Sequence, residues 1–321
     1  MNDVKPDAIK FSQCQPGDLA RMSLHALQHV HVGQYKMRSE TEFTPSGRAP
    51  VAVVLGTNDV ASAVAHRMFH AGYGVVLSRD PSQPVLRRSM AFDDALVTGF
   101  SELEGLPARP ADTLVEVLRG FTERHAVMVT SLEMGELLCL GLIDVLVDAR
   151  MRMRNLKVDI RPFARVSVGL GPGFTAGRHV DVAVETAPEA IGILRDGSTL
   201  APHGRSMPLA GAGRERFARA PASGIWVTRA AIGDRVRRDE VIGTCDKTPV
   251  MAPLAGHLRG LVRSGVAVPA DLKLAEVDPR LDCEPSWLGI AERPRRIAEA
   301  TLDAIRTLES MGTGAAGGIA H

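Results

Sequence analysis

The sequence predicts an α/β protein in two parts, a doubly wound parallel sheet followed by a β barrel-sandwich, and two observations predict it. Over the first half, apolar runs of strand length alternate with helical patterns. In the second half a segment repeats itself: Ala220-Pro221, Gly224, Gly233, Val236 and Asp239 return as Ala252-Pro253, Gly256, Gly265, Val268 and Asp271. Every pair is separated by 32 residues, and Ile242 with Leu274 adds an apolar match. A constant offset across identical residues indicates one duplicated β unit.

The elements follow in order. Residues 1–47 mix polar residues with His25, His29 and His31 and end in the breaker cluster Thr44-Pro45-Ser46-Gly47, which predicts a flexible extension. His25 and His29 share a helical face, but no acidic or thiol ligand accompanies them, so no metal site is expected. Residues 48–160 open on the run Val51-Ala52-Val53-Val54-Leu55, suited to a buried parallel strand, which stops at Gly56. Val60, Ala61, Val64, Ala65 and Met68 then form a helical stripe, and Gly72 and Gly74 introduce a second strand at Val75-Val76-Leu77. Further strands over residues 126–129 and 143–147 alternate with helical patterns over 113–121 and 132–140, the order of a Rossmann-like domain. Residues 161–218 read as a connecting region whose strands, 164–170 and 180–184, flank a glycine-rich loop. The duplicated unit occupies 219–280, and its pattern resembles a biotinyl/lipoyl-type barrel. Over 281–311, Ile297, Leu302, Ile305 and Leu308 are spaced for one helical face, and the small-residue tail 312–321 is expected to be disordered.

Composition excludes several function classes. With 38 Lys+Arg against 37 Asp+Glu, no sustained basic run, two Tyr and two Trp, the chain is poorly equipped for nucleic acid. The N-terminus is polar, and no run reaches the roughly 20 apolar residues of a membrane span, so a cytoplasmic protein without a membrane partner is expected. Cys14, Cys139, Cys245 and Cys283 are far apart and show no C-x-x-C spacing, which predicts free thiols rather than zinc ligands or disulfides. Cys245, in the connection between the two copies, is the candidate for an exposed, reactive thiol.

Candidate ligand-binding residues gather at strand ends. Gly56, Asp59 and Ala61 lie where a dinucleotide fold places its phosphate loop, although Asn58 stands at the middle glycine of the usual fingerprint. After the second strand, Ser78-Arg79-Asp80 offers Arg79 rather than a carboxylate, which suits a 2′-phosphate or another anion. Arg87 and Arg88 supply two further charges, and Asp148 and Arg150 stand at another strand end, where they can serve a ligand or pair with each other. Gly169, Gly171, Gly173 and Gly177 with Thr175 form a loop whose amides could converge on an anion or simply make a tight connection. No catalytic residue is assigned. An NAD(P)-dependent oxidoreductase and a non-enzymatic scaffold both remain open, as does a homo-oligomer.

Several motifs together carry a family resemblance. Gly56-x-x-Asp59-x-Ala61, Arg87-Arg88-Ser89-Met90-Ala91-Phe92, Val147-Asp148-Ala149, Asn155, Glu185-Thr186, the string from Gly169 to Gly177 and the Ala-Pro repeats occur in one chain. Over residues 51–305 the chain is similar to accessory proteins of selenium-dependent molybdenum hydroxylase systems, some described as xanthine dehydrogenase maturation factors. The resemblance implies a maturation factor with a molybdenum hydroxylase client, binding a molybdopterin-type cofactor or NAD(P). The chain departs from that pattern at Asn58, at Ala187-Pro188-Glu189-Ala190, which lacks an Arg-Gly-His run, and at Ala298-Glu299-Ala300. Lys247, near the hairpin tip, lacks the surroundings of a biotin or lipoate attachment site, so neither group is expected.

Overall fold

The computed structural model describes residues 48–141, 143–152, 156–201, 207–281 and 285–315. The expectations for residues 1–47, for Asn155 and Cys283, and for the tail beyond Ala315 lie outside the described residues.

The first run does form a strand, β1 (Val51–Leu55), and every residue of it is buried. Helix α1 (Asp59–His70) follows because Asn58 caps it, its Oδ1 accepting from the amides of Val60 and Ala61. The chain then returns through β2 (Gly74–Ser78), the short helix α2 (Ala95–Thr98), β3 (Ser101–Leu103), β4 (Leu106–Pro110), α3 (Leu114–Glu123) and β5 (Val127–Thr130). Helix α3 starts at a reciprocal capping box between Thr113 and Glu116. After α4 (Met134–Leu137) come β6 (Val145–Asp148), β7 (Val166–Leu170), β8 (Val182–Glu185) and β9 (Gly192–Leu194). These strands make one nine-stranded sheet in the order β3-β4-β5-β2-β1-β6-β7-β8-β9.

That sheet corrects the fold expectation. It is mixed rather than parallel throughout, since β3 runs antiparallel to β4 and β9 antiparallel to β8. It also continues into residues 166–194. The passage from β6 to β7 contains a 3-10 turn at Arg161–Phe163 and the passage from β7 to β8 contains no helix. The glycine string explains the second, because glycine and proline at this density disfavour a helix. The sheet face that carries α1 is instead completed by the C-terminal helix α5 (Glu292–Ala315). Ile297, Leu302 and Ile305 on α5 share a core with Ala61, Val64, Ala65 and Met68 of α1, where alanines let the two helices approach. Each fully buried large side chain contributes about 1.5–3 kcal/mol. On the opposite face, Val117 and Phe121 of α3 pack beside Leu137 and Phe174.

The duplicated segment forms two four-stranded antiparallel sheets around one core that holds Trp226, Leu258, Leu261 and Leu274. Its strands are β10 (Phe217–Arg219), β11 (Gly224–Val227), β12 (Arg235–Val236), β13 (Val241–Cys245), β14 (Thr248–Met251), β15 (Gly256–Leu261), β16 (Val266–Val268) and β17 (Lys273–Asp278). The sheet orders are β10-β17-β15-β12 and β14-β13-β11-β16, so each copy lends strands to both sheets. The exchange is reciprocal down to single bonds. Asp239 N donates to Ala252 O and Asp271 N to Ala220 O, both at 2.9 Å. Asp239 and Asp271 each adopt a left-handed backbone, at φ 62° and 65°. The identical residues of the repeat are therefore the ones that make the same turn twice. The unit is two separate sheets rather than a closed barrel, and with the mixed first sheet this withdraws both the Rossmann-like and the biotinyl/lipoyl-like descriptions. Lys247 is exposed at the β13–β14 turn, whereas Cys245 is buried with its Sγ against Ala222 O, which removes it as an exposed thiol. No helix among the described residues is long and apolar enough to cross a membrane.

Candidate ligand-binding cleft

A cleft of about 500 Å³ opens between the β1–α1 turn, the loop after β8, the start of α5 and the sheet that contains β17. The segment leading into a 3-10 turn at Arg88–Met90 reaches across to the duplicated unit there. Leu261 N donates to Leu86 O at 2.7 Å, and Arg88 Nε donates back to Leu261 O at 2.9 Å. Gly260 permits this approach, since a Cβ would stand 3.0 Å from Leu86.

At the back of the cleft lies Glu276, whose side chain is fully buried. Arg87 donates to it from Nε at 2.7 Å, Arg216 from Nε at 2.9 Å, and Arg259 approaches from Nη1 at 3.3 Å. Burial alone would raise the Glu276 pKa, but Arg87 and the other guanidiniums carry it down to about 2. Arg87 also donates to Asp59 at 2.8 Å, so one guanidinium ties the start of α1 to β17. Arg150, Lys273 and Arg293 line the cleft as well. Lys273 lies with Nζ 3.9 Å from the centre of the Phe217 ring, and Arg293 donates from Nε to Thr186 O at 3.0 Å. Neither has a carboxylate within ion-pair distance among the described residues. The cleft lining holds Arg87, Arg150, Arg216, Arg259, Lys273 and Arg293 against Asp59, Asp80, Glu185, Glu276 and Glu292, and of these cations Lys273 and Arg293 are the ones without an ion pair among the described residues.

The structure distributes the sequence-predicted site residues unevenly. Gly56, Asp59, Arg87 and Arg150 line the cleft. Gly56 has φ 107°, and a Cβ there would stand 3.1 Å from Ala149 O, so it serves close backbone approach. Asn58 Nδ2 donates to Ala149 O at 2.9 Å while its Oδ1 occupies the first free amides of α1, which leaves that helix end already capped. Ala61 is buried in the core. Arg88 pairs with Asp94 at 3.0 Å, Arg79 with Asp93 at 3.4 Å, and Asp148 with Arg150 at 2.5 Å. In the glycine string, Gly169 makes room for the Phe174 ring, and Gly171 lies close to Met151. Gly173 and Gly177 adopt positive φ, and Thr175 shares a hydrogen bond with Ser198 at 2.7 Å. Of this string, Pro172 reaches the cleft. Glu185 accepts from the amides of Thr186, Ala187 and Leu200 and so holds the loop over the cleft.

Sequence reasoning missed Arg216, Arg259, Lys273, Glu276 and Arg293. A signal existed in the repeat itself. Arg259, Lys273 and Glu276 stand where the first copy has Val227, Val241 and Thr244, so the copies diverge in charge on the sheet that meets the cleft. Arg216 precedes the repeat and Arg293 follows it, and neither carries such a mark.

No protein-family model matches the chain. The uncharacterized protein YqeB of Escherichia coli K12 is 33% identical over 277 residues, which are 84% of this chain and 49% of YqeB. The chain spans about half the length of the curated relative it matches. Solved structures that it resembles include an aspartoacylase family protein from Mesorhizobium loti, at 10% identity over 72% of this chain and 85% of that one, with a TM-score of 0.22. A succinylglutamate desuccinylase/aspartoacylase from Rhodobacter sphaeroides gives 15% identity, 72% and 86% coverage and a TM-score of 0.22. The ectoine utilization protein EutE of Ruegeria pomeroyi gives 13%, 72%, 85% and 0.21. None of these proteins is named as belonging to a selenium-dependent or molybdenum hydroxylase system. The expected association with molybdenum hydroxylase, xanthine dehydrogenase, selenium and the molybdenum cofactor is therefore corrected.

Proposed function

We propose that this protein binds an anionic small molecule, a cofactor or nucleotide bearing phosphate or carboxylate groups, in the cleft between the nine-stranded sheet and the duplicated unit. The observation that carries the reading is the position of Lys273 and Arg293, half-buried cations of the cleft lining that have no carboxylate partner among the described residues. Arg87, Arg216 and Arg259 are neutralised in part by Glu276, which fixes their planes. Lys273 and Arg293 are then the charges that a ligand would answer. The α1 amides are capped by Asn58, so the ligand's charge is met by side chains rather than by a helix terminus.

Isothermal titration calorimetry of the full chain with NADP, ATP and pyridoxal 5′-phosphate, each beside its uncharged nucleoside or vitamin, tests this. At least one anion should bind, with an affinity that falls as ionic strength rises and drops about tenfold or more in Arg293→Ala, the loss expected for a charge-assisted contact. Equal binding of charged and uncharged forms, or no binding of any anion, would sink the reading.

A further inference from the structure

The cleft's basic groups are not interchangeable. The chain has 32 arginines and six lysines, and among the described residues Lys273 is the lysine that lines the cleft. A guanidinium stays protonated in a protein, whereas an ammonium on a buried stem can release a proton and expose a lone pair. Lys273 opens β17 opposite Arg219 of β10, and the Phe217 ring beneath its Nζ holds the stem at the cleft wall. Glu276, three residues further along the same strand, is already shared by three guanidiniums and makes no ion pair with it. Burial, with Arg219 and Arg87 beside it, lowers the Lys273 pKa to about 8, so about half of the amine is neutral near that pH.

We infer that Lys273 is an imine-forming amine, and that the cleft's ligand carries an aldehyde or ketone beside its anionic group. The inference rests on the anionic-ligand reading and narrows it. The arginines hold the anionic end while the Nζ lone pair forms a bond to the carbonyl carbon. The carbonyl π pair moves to oxygen, one nitrogen proton passes to that oxygen to give a carbinolamine, and the hydroxyl leaves as water with the second nitrogen proton while the nitrogen lone pair closes the C=N bond. No electrons are gained or lost, and no further reactant is needed.

The full chain is mixed with pyridoxal 5′-phosphate at about pH 8, near the Lys273 titration, and reduced with borohydride. Intact mass and peptide mapping then locate the adduct. In parallel, thermal shift follows pyridoxine 5′-phosphate, which keeps the phosphate and lacks the aldehyde. One adduct per chain is expected, on Lys273 ahead of Lys157 and Lys247, and Lys273→Arg should lose it. Stabilisation by pyridoxine phosphate together with adducts spread over all lysines would overturn the imine and leave the anion site standing. No stabilisation by either phosphate and no Lys273 adduct would overturn both. Should Lys273→Arg fail to fold, the peptide map of the unaltered protein decides alone.

Discussion

Glu276 shows what one residue does here. A carboxylate with no solvent exposure survives because three guanidiniums surround it, and each of them depends on it in turn. Glu276→Gln leaves those charges with a neutral amide, and removing one partner of a buried ion pair costs about 3–5 kcal/mol. Urea denaturation should show that loss. The pH dependence has a definite sign. The Glu276 carboxyl is lowered from 4.5 to about 2 on folding, so its contribution is complete above the ordinary carboxylate range and is lost as pH falls from about 4.5 toward 2. The variant should therefore lose less stability over that interval than the unaltered protein, and an equal or steeper loss would contradict the assignment. Glu276 was not legible in the sequence because nothing local marks it. Its partners come from positions 87, 216 and 259, and only folding brings them together. Arg87 was legible as a cation, but its tie to both Asp59 and Glu276 was not.

At the scale of elements, the repeat was the most legible feature of the chain, and the structure gives its cause. Gly224 and Gly256 are equivalent in the repeat, yet a Cβ would meet different neighbours at the two positions. A Cβ at Gly256 would stand 2.0 Å from the Asp278 carbonyl oxygen, whereas one at Gly224 would meet the Asp246 carboxylate at 2.4 Å. A backbone carbonyl in β17 cannot retreat, while an exposed side chain can. Gly256→Ala should then cost about 1–3 kcal/mol, the range of core overpacking, and Gly224→Ala measurably less. Equal midpoints for the two in chemical denaturation would refute the difference. Strands β1 and β2 and helix α1 were readable from apolar period because their partners are close in sequence. The face of α5 was readable from its own apolar period, although its partners are distant in sequence. That α5 would replace crossover helices on a sheet begun over 200 residues earlier was not readable, since a helical stripe states that it is buried and not against what. The glycine string allowed both an anion loop and a tight connection in sequence, and its glycines serve packing in the fold. Gly169 exists to admit Phe174, a packing demand that looks like a phosphate motif in sequence.

Across the whole molecule, the segment over residues 84–90 decides whether the nine-stranded sheet and the duplicated unit behave as one. Leu86 bonds to Leu261, Arg87 to Glu276 and Arg88 to Leu261, Ser89 Oγ donates to Trp287 O, and Arg263 reaches back to Asp94. These contacts are buried or half-buried and include charge-assisted bonds, each worth about 1.5–3 kcal/mol. Together they exceed the coupling that independent units would show, so the two parts should unfold in one transition. The chain supplies two separate reporters. Its two tryptophans sit in or beside the duplicated unit, Trp226 in the core and Trp287 stacked on His257. The two longest helices among the described residues, α1 and α5, lie on the nine-stranded sheet and report on it through the helical circular dichroism signal. Fluorescence and circular dichroism should therefore give coincident urea midpoints, the test of a single cooperative transition. Glu276→Gln should move both midpoints downward together, because it loosens the tie from the side of β17 while Arg87 remains bound to Asp59. Separation of the two midpoints in the unaltered protein, with fluorescence changing first, would show that the cleft is a contact between independently stable parts and not the seam of one cooperative structure.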